Sequence, residues 1–428
     1  MINRLLIAVF LFSFLLKKLI IFIEDINMHS IKTLYKVGNG PSSSHTIGPK
    51  VASQFIIDKY KDCDYVKVTL FGSLAFTGKG HLTDYIIEKT FNENNIKVDI
   101  CFNYEILDLE FPNTMHFEIY KNKTILGEET IFSIGGGLIK VKDFENVEEK
   151  EVYPHKTILQ IKEFCSQNNL SFVDYVLHFE DSSIVEFSEH IYQVMTRSVK
   201  NGLSKTGVLP GKLMVERKAY TIFNNIKPNE TESMKEKRLV SSYAFACSEE
   251  NASGGEIVTA PTCGSCGIIP SIIMYLEDCG YNHNDIINGL LVAGLFGLVV
   301  KNNASISGAE CGCQAEIGTA CAMGASLVAT VKHLNNDQIE RAAEIALEHH
   351  LGLTCDPILG YVQIPCIERN AVAALRAIES CSLAELFGES QSKISFDLVV
   401  ETMKQTGIDL KYEYRETSAG GLAKNYIK

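Results

Sequence analysis

ENVEEKEVYPHK, residues 145–156, separates two textures of sequence and so divides the 428-residue chain. On its N-terminal side apolar residues alternate: VKVTLF (66–71), IKVDICF (96–102), MHFEIY (115–120), a polar KNK turn, TILGEETIF (124–132) and SIGGGLIKV (133–141). Period-two alternation bounded by Asn, Gly and Lys sends successive side chains to opposite faces and predicts an antiparallel sheet. VASQFIIDKYKD (51–62) and TDYIIEKTFNE (83–93) read as helices, so this first unit is α+β. On the C-terminal side glycine-rich loops join helices. NDIINGLLVAGLFGLVVK (284–301) is apolar all round, the mark of a buried helix, and its apolar run falls short of the roughly 18 or more residues of a membrane span. DQIERAAEIALEHHLG (337–352) is amphipathic, with Asp337 as the expected N-cap, Glu340 three residues on and Gly352 as the stop. The expected fold is an α+β N-terminal domain, residues 28–150, followed by a mostly α-helical domain, residues 151–428.

Residues 1–27, MINRLLIAVFLFSFLLKKLIIFIEDIN, stand outside this scheme. Their apolar run is broken by Lys17 and Lys18 and carries no small-residue cleavage pattern. They read as an upstream extension of the reading frame, with a membrane anchor as the alternative. The rest has the composition of a globular protein: 46% hydrophobic, 21% charged, mean hydropathy +0.05. The net charge of -12 is dispersed, with no basic block and no aromatic-basic interleaving, which excludes an ordinary nucleic-acid binder. Ten of the 13 cysteines fall between Cys247 and Cys381, and the odd total argues against a closed disulfide framework and for a reducing compartment.

CGSC (263–266) has the spacing of a redox pair or half a zinc site, but no second pair accompanies it, so small residues in a glycine loop remain the plainer reading. GAECGCQAEIGTAC (308–321) holds Cys311 and Cys313; the next outstanding thiols are Cys355 and Cys366 in GLTCDPILGYVQIPCIERN (352–370). Asp356-Pro357, Gly360 and Pro365 hold that segment out of regular helix, so both sulfurs sit on loops able to bend toward one point. Several thiolates select zinc, copper(I) or an iron–sulfur cluster over hard cations, and local sequence does not choose among these or exclude buried free thiols.

Eight stretches in order carry a more specific signal: GNGPSSSHTIGPK (38–50), TGKGHLTD (77–84), FSIGGGLI (132–139), VMTRSVKNGLSKTGVLPGKL (194–213), EENASGGEIVTAPTCGSCGIIP (249–270), ECGCQAEIGTACAMGA (310–325), GLTCDPILGYVQIPCIERN and ETSAGGLA (416–423). From Met28 onward the chain resembles the iron–sulfur-dependent L-serine dehydratases of the single-chain bacterial type. The resemblance implies a helical catalytic domain holding a [4Fe-4S] cluster on Cys313, Cys355 and Cys366, with no pyridoxal phosphate. Cys311, Cys263 and Cys266 fall where the family pattern varies. It further implies a cytoplasmic homodimer that converts L-serine to pyruvate and ammonia, with no nucleic-acid or membrane partner. Three thiolates on four irons leave one iron open to act as a Lewis acid toward a substrate oxygen. No cysteine follows Cys381, so the C-terminal cysteine ligand of some relatives does not transfer, and solvent is the expected fourth ligand at rest.

Elimination also needs a base for the Cα proton. His45 in PSSSHT and His81 in GKGHLTD, both in loops, are the candidates. Ser42, Ser43 and Ser44 offer hydroxyls to a carboxylate. Asn251, Ser253 and Thr262 resemble family residues that hold the amino acid's polar groups, with helix capping as their ordinary alternative. Three competing readings stay open. A pyridoxal-phosphate lyase would use Gly135, Gly136 and Gly137 as a phosphate loop and Lys140 or Lys205 as the Schiff-base lysine. A cluster enzyme acting on cysteine would release sulfide. A non-catalytic electron carrier or zinc protein would ordinarily use a closed set of four ligands.

Overall fold

The computed structural model describes residues 27–105, 107, 109–142, 151–388, 390 and 392–426; the first 26 residues of the extension and the first half of the charged boundary segment lie outside them. Five strands, β1 (Tyr65–Gly72), β2 (Lys97–Phe102), β3 (Asn113–Lys121), β4 (Thr124–Gly135) and β5 (Leu138–Val141), form a sheet in the order β2-β1-β3-β4-β5. Alternation works as expected: Val66, Val68, Leu70, Met115, Phe117 and Ile119 are buried on one face. On the other, Lys67 Nζ and Tyr120 Oη both donate to Glu118, at 2.6 and 2.7 Å. The expectation of a wholly antiparallel sheet fails at one pair. β1 and β2 run parallel, with Val68 opposite Ile100, because helix Thr83–Glu93 carries the chain back across the sheet before β2 begins. Helices Gly48–Lys59 and Thr83–Glu93 close this core with Ala52, Ile56, Ile86, Ile87 and Phe91.

The helical body is built on α1 (Glu232–Ala252), α2 (His283–Asn303), α3 (Thr319–Val331), α4 (Asn336–Glu348) and α5 (Cys366–Phe387). α3 packs against α2, α4 and α5, and α5 packs against α1. α2 is long and apolar enough to cross a membrane, but 78% of its most apolar window is buried within the protein, so it serves as a core helix. Its Gly297 is required by close approach: a Cβ there would lie 2.6 Å from Leu34 Cδ2 and 2.7 Å from Met323 Sδ. α4 begins before the expected cap. Asn335 rather than Asp337 accepts from Gln338 N at 3.0 Å while Gln338 Oε1 accepts from Asn335 N at 3.2 Å, a reciprocal cap in which Gln338, three residues after the cap, takes the part expected of Glu340.

The leading residues bind the helical body. Met28–His29 pairs antiparallel with Glu151–Tyr153, and Val37–Asn39 with Glu256–Val258. Met28, Ile31, Leu34 and Tyr35 are buried in the helical core. The Glu180 carboxylate accepts from Ser30 Oγ (2.8 Å), Ile31 N (2.9 Å) and Tyr153 Oη (2.7 Å), which fastens that entry. The two bodies thus share the chain on either side of the sheet.

Candidate metal centre and active site

Cys313 follows Gly312, whose φ of +72° lies in the left-handed region and where a Cβ would lie 2.8 Å from Leu353 O. Cys313 then caps a wide turn, Gln314–Gly318, that leads into α3. Gln314 Oε1 accepts from Gly352 N (2.9 Å) and Thr406 Oγ1 (3.0 Å), tying this turn to the loop that carries Cys355. The C-terminal segment straps that loop: Cys355 N donates to Tyr414 O and Glu416 N to Cys355 O, both at 2.8 Å. Cys366 opens α5, where Asn370 Nδ2 donates to Cys366 O (2.9 Å) and to Gly264 O (2.7 Å). Three distant loops are therefore cross-braced.

Their thiols meet. Donor atoms of Cys313, Cys355 and Glu316 lie within 4.8 Å of one another, and Cys366 is close enough to feel the charge of Cys313 and Glu316. All three cysteines are buried, at 2, 3 and 9% exposure. The Cys355 thiol is held well above its usual range by its hydrogen bond with Cys313 and by burial, and Cys366 by burial and then by the charge of Cys313. Three thiolates in a buried site need a compensating cation, which a metal centre supplies while it removes their protons. Space is kept for one: a Cβ on Gly308 would lie 2.7 Å from Glu316 Oε2 and 3.3 Å from Cys355 Sγ. A soft three-sulfur set with a carboxylate beside it fits an iron–sulfur cluster.

A second constellation adjoins it. The His45 and His81 rings are 4.6 Å apart. His45 Nδ1 is bonded to Ser44 Oγ (2.8 Å) and Nε2 to Ser73 Oγ (2.9 Å), so both its nitrogens are engaged. His81 Nδ1 faces Thr77 O at 3.1 Å and must donate there, which leaves Nε2 as a bare acceptor; that atom is buried and unpartnered. Burial lowers the His81 pKa to about 4, and burial together with His81 holds His45 well below the usual imidazole value. Both rings are neutral at neutral pH. The His81 loop abuts the cysteine loop: a Cβ on Gly80 would lie 3.7 Å from Leu359 O and 3.9 Å from Gly360 O, between Cys355 and Cys366 in sequence.

The expected substrate residues fall into two groups. Ser42, Ser43 and Ser44 form the buried or half-buried turn under His45, with Ser42 Oγ accepting from His45 N at 3.2 Å. Asn251, at the end of α1, donates from Nδ2 to Pro41 O (3.1 Å) and keeps a buried, unpartnered Oδ1. Thr262 Oγ1 donates to Glu316 Oε1 at 2.7 Å, joining its loop to the thiols. Ser253 is spent elsewhere, donating to Glu249 O (2.7 Å) and accepting from Arg217 Nη2 (2.6 Å). Sequence reasoning passed over Glu316, Ser73, Arg369 and Glu416. A carboxylate three residues after Cys313 in an otherwise apolar turn was the available signal for Glu316. Burial and then the charge of Glu316 raise the Glu416 pKa to about 8, and Arg369 Nη1 donates to Thr354 O at 2.7 Å beside Cys355.

The remaining candidates pack. Cys263 and Cys266 lie in an apolar cluster with Cys247, whose thiol donates to Cys266 O at 3.2 Å. Cys311 is buried against Gly407, whose missing Cβ would meet Cys311 Sγ at 2.5 Å. Gly136 and Gly137, with φ of +59° and +81°, make the hairpin turn between β4 and β5 rather than a phosphate loop opening a helix. Lys140 is paired with Glu110 (3.1 Å) and Lys205 with Glu250 (2.6 Å).

Comparison with known proteins divides the chain earlier, between residues 95 and 105, within the sheet. The family description "Serine dehydratase beta chain" matches residues 30–95, and "Serine dehydratase alpha chain" matches residues 105–423. An L-serine dehydratase of Haemophilus influenzae is 37% identical, with 92% of this chain and 99% of that protein covered. L-serine dehydratase 2 of Escherichia coli is 37% identical over 94% of this chain and 99% of its own. An L-serine dehydratase of Helicobacter pylori is 38% identical over 92% and 98%. With both chain types matched in one polypeptide, the protein belongs to the serine dehydratase family.

Proposed function

We propose that the protein is an L-serine dehydratase that converts L-serine to pyruvate and ammonia, with Cys313, Cys355 and Cys366 holding a [4Fe-4S] cluster. The observation that carries this reading is the meeting of the buried Cys313 and Cys355 thiols with the Glu316 carboxylate, with buried Cys366 within reach of their charge. When bound, the cluster supplies a Lewis acid for departure of the β-hydroxyl. His81 Nε2, unpartnered and unprotonated, takes the Cα proton. His45, held at both nitrogens by Ser44 and Ser73, fixes the stacking partner of that ring and adds no positive charge to it. Asn251 Oδ1 accepts from the substrate ammonium, and Ser42 and Ser44 hydroxyls receive its carboxylate. The aminoacrylate released by elimination tautomerises and hydrolyses to the products.

The domain reading stays with this proposal: an α+β part, 28–150, serving a catalytic part, 151–428, in a cytoplasmic homodimer. Anaerobic purification of residues 28–428, iron and sulfide analysis, and a serine assay without added pyridoxal phosphate test it. Iron, sulfide and pyruvate formation are expected together. A faster release of sulfide from cysteine than of ammonia from serine would reassign the substrate, and activity that depends on pyridoxal phosphate would overturn the cluster.

A further inference from the structure

Glu316 has no chemical role in the reading above, yet it is the carboxylate nearest the thiols. One of its oxygens lies within 4.8 Å of both Cys313 and Cys355 sulfur. Thr262 Oγ1 holds Oε1 at 2.7 Å, the kind of outer hydrogen bond that orients a metal-ligating carboxylate and leaves its second oxygen to bind. Bare backbone flanks it on two sides: a Cβ on Gly308 would stand 2.7 Å from Oε2, and one on Gly264 3.2 Å from Oε1. Carboxylates are ordinary iron ligands beside thiolates.

We propose that Glu316 is a protein ligand of the cluster at rest, occupying the iron that Cys313, Cys355 and Cys366 leave open, in place of the solvent expected from the sequence. The inference rests on the cluster reading of this site. It makes substrate entry a ligand exchange, in which a carboxylate lone pair is withdrawn and no electron is transferred. It also makes Glu316 the guard of the iron most easily lost. Oxidation of a [4Fe-4S]2+ centre by one electron, here taken by ferricyanide, yields [3Fe-4S]+ and Fe2+, and a carboxylate ligand slows that release.

The test uses anaerobically reconstituted protein in 17O-enriched water, with the cluster reduced by one electron and examined by electron-nuclear double resonance. The wild type is expected to show no 17O coupling and Glu316→Gln to show it, because water enters the vacated position. Under ferricyanide the three-iron resonance is expected to grow several-fold faster in Glu316→Gln. Thr262→Val, which keeps the carboxylate but removes its hydrogen bond, is expected to fall between the two. Should Glu316→Gln fail to hold a cluster, the wild-type spectrum and Thr262→Val decide. Strong 17O coupling in the resting wild type, or equal rates of iron loss, would overturn the role of Glu316 while leaving the cluster intact. Absence of iron and sulfide from the wild type would overturn the cluster reading itself.

Discussion

The His45 and His81 rings lie 4.6 Å apart and tilted by 34°, with one ring bonded at both nitrogens and the other bare at Nε2. Two imidazolium ions at that separation would repel in a site without water to screen them. The pair is built to stay neutral.

A pH dependence follows from the burial of His81. Its pKa of about 4 lies below the ordinary value near 6.5, so the unfolded chain binds the proton more readily between those values. Stability is full above about pH 6.5 and falls as the pH drops toward about 4, by on the order of 3 kcal/mol from this one group. Urea denaturation at stepped pH should show a shallower decline in His81→Asn than in the wild type. The same variant should lower kcat by about 100-fold or more, the usual size of a lost proton acceptor.

Removing any single thiol anchor should empty the site. Cys313→Ser, Cys355→Ser and Cys366→Ser are each expected to lose iron, sulfide and activity together, whereas Cys311→Ser, packed against Gly407, retains all three. Metal and sulfide analysis of the four anaerobically purified proteins checks this.

Gly40 fixes the distance between the histidine turn and α1. A Cβ on Gly40 would lie 2.1 Å from Asn251 Oδ1 and 2.2 Å from Asn251 O. Backbone cannot yield as a side chain can, so Gly40→Ala should cost about 1–3 kcal/mol of stability. KM for serine should rise as Asn251 is pushed aside, and chemical denaturation with steady-state kinetics measures both.

Arg217 stands between two buried carboxylates, 3.3 Å from Glu250 Oε1, which Lys205 also holds, and 4.0 Å from Glu249 Oε2. Arg217→Met should destabilise by about 3–5 kcal/mol, because it leaves the buried Glu249 carboxylate without its cation rather than merely deleting a contact. Calorimetry should register the loss, and restoring neutrality with Glu249→Gln in the same chain should recover part of it.

The sequence made local structure legible where one residue class decides it. Helix Thr83–Glu93 lies where its apolar spacing predicted, and the β1 and β3 alternation sorted core from surface, whereas β4 buries Ile131, Phe132 and Ser133 in a row and exposes Ile125 and Leu126. The parallel β1–β2 pair was not legible, because strand direction depends on where the intervening helix sends the chain. Of the α4 cap, the helix was legible and the capping residue was not, since Asn335 and Asp337 have similar preference and only the partner at Gln338 separates them. The thiols of Cys313 and Cys355 could be named from family motifs, but their braces, Gln314, Asn370 and the 414–416 strap, exist only through tertiary contact.

The pairing of the leading strands with the helical body also orders events during synthesis. Asn39 Nδ2 finds its acceptor, Gly254 O, 215 residues further along, and Thr259 Oγ1 donates back to Leu34 O across 225. Emerging from the ribosome, the sheet with its two helices can assemble from neighbouring segments, while residues 28–39 wait with Ile31 and Leu34 uncovered. Contacts of such long range form late and leave apolar surface open in the meantime. Residues 28–39 thus close over the helical core only after Gly254 and Thr259 have been made.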